Sequence, residues 1–142
     1  VATCEDLTGG QLAERLQTAS TEHFGAGFIC NNEAAVRTLL KHARDPQKVD
    51  SLLKDPVELT NELAWAAREQ SGCNLGLALH AIADPDSKLQ NLASGQTYVS
   101  LTDGRRFLQR ESTSAGRGAY DRSRMTLNAL DLLRTALIEG MG

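Results

Sequence analysis

Apolar positions follow two rhythms along this chain. Nearly continuous apolar runs at residues 1–4, 25–30 and 75–82 predict strands. The third is close to unbroken, as expected for a strand covered on both faces. A three- and four-residue rhythm predicts helices carrying Leu12, Ala13 and Leu16; Ala35, Val36, Leu39 and Leu40; Leu59, Leu63, Ala66 and Ala67; and Leu127, Leu130, Leu133 and Leu137. Thr8 with Gln11 three residues on reads as a capping box, and Asn31 or Asn32 as the next cap. Asp45-Pro46 opens a short helix through Val49, Leu52 and Leu53. Asp55-Pro56 with Glu58 is a stronger start, and Gly72 a natural stop. Asp84-Pro85-Asp86 breaks the apolar run before it. Residues 95–101 and 105–111 predict a hairpin turning at Thr102-Asp103-Gly104, ahead of a polar, glycine-rich loop over 112–118. This order predicts an α/β fold with helices layered on a mixed sheet, as one domain over 1–142.

Composition narrows the class. With 142 residues, 41 % hydrophobic and 23 % charged, the chain has the make-up of a folded domain rather than of a disordered one. No run approaches the ~18 apolar residues of a membrane span, so no membrane partner is expected. Eighteen acids against fifteen bases, net −3, argue against a nucleic-acid partner. Cys4, Cys30 and Cys73 are odd in number, widely spaced and in no zinc-site pattern. They point to a reducing cytoplasm and to no structural metal. The N-terminus has no charged segment followed by an apolar one, so no signal peptide is read here.

Two segments could carry chemistry. Thr8-Gly9-Gly10 lies between a predicted strand and a helix, where backbone N–H groups and the helix dipole can receive an anion. Its structural reading is a capped helix after a tight turn. There is neither a Walker loop nor a G-x-G-x-x-G fingerprint, and no cofactor is expected. The second segment ends the central strand: His80, Asp84 and Asp86 lie where ligands of α/β sheets collect, or else serve as a hydrogen-bonded core His and turn-forming carboxylates.

Residues 1–10, VATCEDLTGG, resemble the opening motif of the CinA C-terminal domain family, the nicotinamide-nucleotide amidases, written A-E-S-C-T-G-G. Asn32-Glu33-Ala34 resembles the family's Y-S-N-E-A-K, residues 80–86 its T-G-I-A-G-P-D, and Gly95 to Val99 its P-V-G-T-V strand. Arg122 and residues 129–133 resemble its last helix. The resemblance implies a three-layer α/β/α domain, a homodimer or higher homo-oligomer, and a nucleotide-like ligand. In active members a serine of the first motif hydrolyses the carboxamide of nicotinamide mononucleotide.

The departures fall on that chemistry. Asp6 stands at the serine position and Leu7 at the following Cys, while Cys30 and Ala35 stand at the motif's Tyr and Lys. An ionised Asp6 about 5 Å from a phosphate would oppose it by roughly 1 kcal/mol per charge in water-like surroundings. Three readings follow. The domain is a catalytically silent relative that binds a ligand or partner, with Thr8, Gly9, Gly10, Asn32 and Asp84 as ligand-binding residues. Or it is a hydrolase of altered chemistry in which Asp6 orients His80 as a general base, or in which the pair with Asp84 instead holds a divalent cation, or a retained amidase. Or it is an assembly module marked by Arg105, Arg106, Arg110, Arg117, Arg122 and Arg124.

Overall fold

A computed structural model of the chain describes residues 1–83, 95–113, 115 and 118–141. Five strands, β1 (Ala2–Glu5), β2 (Ala26–Ile29), β3 (Gly76–Ala83), β4 (Gly95–Thr102) and β5 (Phe107–Ser112), form one sheet in the order β2-β1-β3-β4-β5. β1 runs parallel to both β2 and β3, whereas β3, β4 and β5 are joined antiparallel. The sheet is therefore mixed, as the strand order predicts.

Helices cover both faces. On one, α1 (Gln11–Ala19) and α5 (Ala119–Ile138) bring Leu12, Met125, Ala129 and Leu132 onto Leu77, Leu79, Val99 and Leu101. On the other, α2 (Glu33–Leu39) and α4 (Pro56–Ser71) close over Ala2, Cys4 and Ala78. This is the three-layer α/β/α arrangement. β3 is covered on both sides through Ala81, and Ile82 then emerges to 44 % exposure. Between α2 and α4 the Asp45-Pro46 start gives a 3-10 turn, Pro46–Lys48, followed by the one-turn α3 (Val49–Leu52).

α4 begins and ends where its sequence signals lie. The Asp55 side chain accepts from the Glu58 N–H, Pro56 occupies the first turn, and Gly72 closes the helix at φ +72°. The helix presses closely on β3: a Cβ at Gly76 would run into the Ala64 carbonyl oxygen.

Three expectations are corrected. The Thr8–Gln11 capping box does not form. Thr8 Oγ1 donates to Glu5 instead, and Gln11 Oε1 accepts from Thr126. The last strand starts at Phe107, not at 105, because Asp103 Oδ1 accepts from the N–H groups of Arg105 and Arg106 and holds both in the turn. The closing helix buries Met125, Ala129, Leu132, Leu133 and Ala136, while Leu127 and Leu137 stand about half exposed. Its inward face combines Met125, Leu132 and Leu133 with two alanines, and Leu130 packs against it, so half of the predicted leucine stripe faces the core.

Candidate functional site

The connections leaving β1 place a crevice. From β1 the chain crosses by α1 to β2 on one side, then returns by α2 and α4 to β3 on the other. β1 and β3 thus flank the point where strand order reverses, the place where open α/β sheets bind ligands beyond the carboxyl ends of their strands. A cavity of about 370 Å³ opens there, lined at the strand ends by Cys4, Asp6, Cys30 and His80 and roofed by Leu53, Leu59 and Leu63.

Asp6 is the first residue past β1, and His80 lies opposite on β3. Asp6 Oδ2 is 2.6 Å from His80 Nδ1, with the two side chains 17 % and 19 % exposed. Asp6 Oδ1 accepts from the backbone N–H of Leu7 at 2.6 Å and of Ala81 at 3.0 Å. The carboxylate is thus pinned across the gap between two strands, and it fixes the imidazole at Nδ1. On its other side the imidazole stacks on Tyr98, its cross-strand neighbour, with ring centroids 6.1 Å apart.

The helix N-terminus beside this pair is already occupied. Glu5, 1 % exposed, accepts from Thr8 Oγ1 at 2.6 Å and from the N–H groups of Gly10, Leu12 and Ala13 at 2.9–3.0 Å. Gly9 and Gly10, at φ +62° and +105°, make the left-handed turn that brings those groups back onto the carboxylate. An incoming anion would have to displace a built-in one. Of the backbone donors expected at residues 8–10, the Gly10 N–H is taken by Glu5 and the Gly9 N–H by the Asp6 carbonyl.

Of the sequence-predicted site residues, the fold brings together Asp6, His80 and Asn32. Asn32 lines the cavity while its side chain caps α2 by accepting from the Ala35 N–H at 2.8 Å. Thr8, Gly9 and Gly10 are held around Glu5 and do not line the cavity. Asp84 and Asp86 lie outside the described residues, as does Arg117. Among the described residues no cluster of three or more His, Cys, Asp or Glu could hold a metal ion. Arg110 is engaged by Asp131 at 2.8 Å, and Arg105 and Arg106 lie in the hairpin turn at the opposite end of β4.

Sequence reasoning missed three features. Glu5 as a helix plug was hidden behind the more familiar Thr8 cap. Tyr98 reaches the site only through the β3–β4 register. Cys4 and Cys30, twenty-six residues apart, meet at 3.6 Å between their sulfurs. The Cys4 S–H donated to Cys30 holds the Cys30 thiol below the usual range, with burial and Asp6 opposing. The same contact, then burial, pushes the Cys4 thiol well up.

Comparison with known proteins gives a consistent result. The model of the CinA C-terminal domain family matches residues 1–137. A CinA-like protein of Solibacter usitatus is 31 % identical over 94 % of this chain and 32 % of its own length. Another, of Syntrophomonas wolfei, is 29 % identical over 99 % of this chain and 34 % of its own. The chain thus spans about a third of the curated relatives it matches. Among solved structures, a competence-damaged protein (CinA) superfamily protein from Enterobacter cloacae superposes with a TM-score of 0.78 at 18 % identity, over 96 % of this chain and 80 % of that one. That likeness supports the shared fold.

Proposed function

Because the chain belongs to the CinA C-terminal domain family, we propose that it binds a small nucleoside-like molecule at the β1/β3 crevice without the family's serine-based amide hydrolysis. The observation that carries this reading is Asp6, a carboxylate at the serine position with both oxygens engaged by Leu7, His80 and Ala81. Three donors hold the group in place rather than presenting it to a carboxamide, and its charge is of the wrong sign for a phosphate.

Charge supports the same choice of ligand. Glu5, Asp6 and Glu33 line the cavity, and among the described residues lining it His80 alone can become positive. The Glu5 plug removes the helix dipole as a phosphate site, a contribution of only ~0.3–1 kcal/mol in any case. The preferred ligand is therefore neutral or cationic. The expected result in calorimetry is that nicotinamide riboside, which lacks the phosphate, binds, and that nicotinamide mononucleotide binds at least about tenfold more weakly, a difference of ~1.4 kcal/mol. Tighter binding of the phosphorylated form would overturn the charge argument.

A second reading rests on the 2.6 Å Asp6–His80 contact. A carboxylate orienting an imidazole is a general-base unit, and it would serve a hydrolase whose nucleophile is water rather than a serine. Amide or ester cleavage lost on both Asp6→Asn and His80→Ala, in a chain that still folds, is the result that would establish it.

The reading also takes the chain as a cytoplasmic homo-oligomer. Three free thiols support a reducing compartment, and half-exposed Leu127 and Leu137 with exposed Ile138 on α5 support a covered face. Among the described residues no helix is long and apolar enough to cross a membrane. Sedimentation above the monomer mass is the expected outcome.

A further inference from the structure

We propose that Cys4 and Cys30 form an oxidative modification site in which a hydroperoxide converts the two thiols into a reversible disulfide across β1 and β2. The inference stands apart from the ligand reading, because it rests on sulfur geometry rather than on what fills the crevice.

The backbone brings the pair together. The Cys30 N–H donates to the Glu5 carbonyl at 2.8 Å, which fixes the end of β2 beside the end of β1, and the sulfurs lie 3.6 Å apart. A disulfide needs about 2.05 Å. Cys30 is the first residue past the β2 ladder and its N–H is held, so rotation of its side chain closes the remaining gap while paired Cys4 stays in place. Both residues line the crevice cavity, and Cys30 also lines a second cavity of about 410 Å³ on the outer side of β2. A small oxidant can therefore meet Cys30 from either side. Cys73, the remaining thiol, sits against Gly25 at the other end of β2 and takes no part.

The electron count closes with a hydroperoxide as oxidant. The Cys30 thiolate sulfur attacks the terminal peroxide oxygen, the O–O bond breaks, and the leaving oxygen departs protonated, giving a sulfenic acid at Cys30. The Cys4 sulfur then attacks the Cys30 sulfur, the S–O bond breaks, and the Cys4 proton leaves with the hydroxide as water. Two thiols give up two electrons, and one peroxide becomes water and an alcohol, or two waters for hydrogen peroxide itself. The Cys4 hydrogen bond and the depressed Cys30 thiol make Cys30 the attacking partner.

Trypsin separates the three cysteines, since Arg15, Arg37 and Arg68 put Cys4, Cys30 and Cys73 in different peptides. The full-length chain treated with equimolar hydrogen peroxide, alkylated and digested without reduction should show the first peptide joined to the Cys30 peptide. Dithiothreitol should release them, and Cys73→Ser should change nothing. In Cys4→Ser the reaction should stop at a Cys30 sulfenic acid, captured by dimedone. Linkage through Cys73, dimedone on Cys73 before Cys30, or two free thiols at Cys4 and Cys30 after peroxide treatment would each overturn the proposal. The wild-type digest decides the matter even where Cys4→Ser fails to fold.

Discussion

At the scale of single residues, Glu5 is the side chain on which the site depends most. It is buried, it accepts four hydrogen bonds, and three of them close the N–H groups of Gly10, just before α1, and of Leu12 and Ala13 in its first turn, which the helix itself cannot satisfy. Glu5→Gln keeps the shape but turns an amide NH₂ toward backbone donors, leaving at least one buried group unmet. The expected loss is about 2–4 kcal/mol in urea unfolding, against about 1 kcal/mol for Thr8→Val, which removes one donor. Equal losses for the two would show that Glu5 is not the organising group. The Cys30 thiol, held low by the hydrogen bond from Cys4, has a pH consequence. Its thiolate fraction, and with it the rate of peroxide oxidation, should rise and level off below the ordinary thiol range. Replacing the donor, as in Cys4→Ala, should move that profile upward in pH.

Elements carry the next set of expectations. α4 and β3 pack so closely at Gly76 that Gly76→Ala must push the helix off the sheet, at an expected cost of about 3 kcal/mol. An unchanged melting temperature would refute the close approach. In the β4–β5 turn, the Arg105 and Arg106 N–H groups hold the Asp103 carboxyl below its usual value. A carboxyl so depressed stabilises the fold above its unfolded pKa and loses that contribution as pH falls through the folded one. Asp103→Ala should therefore cost less than about 1 kcal/mol at neutral pH, because the turn is exposed, and the difference from wild type should fade as pH falls through the lowered folded-state value. Elements with one dominant signal are legible in the sequence: the unbroken run of β3, and α4 with its Asp55 cap and Gly72 stop. α5 is legible as a helix, but only Leu130 and Leu133 of its four predicted leucines face the core, where Ala129 and Ala136 join them. The site divides the same way. Asp6 and His80 could be paired on paper through the family resemblance, although His80 lies inside β3 rather than at its end, whereas the Glu5 plug and the cysteine contact depend on a turn and a register that no spacing rule supplies.

For the whole molecule, topology puts the crevice between β1 and β3 and charge decides what it can hold. The reversal of strand order leaves the carboxyl ends of two parallel strands uncovered. Asp6 lies there, braced by two amides and His80, beside a helix whose dipole end is already filled. The central claim is that this crevice binds but does not deamidate. Its most direct test is ammonia release from nicotinamide mononucleotide by the purified chain, with and without divalent cations, beside Asp6→Ala. No release above the buffer rate from either protein is the expected result. Release by the wild-type chain that disappears in Asp6→Ala would mean that the carboxylate has taken over the serine's work, and the claim would fall.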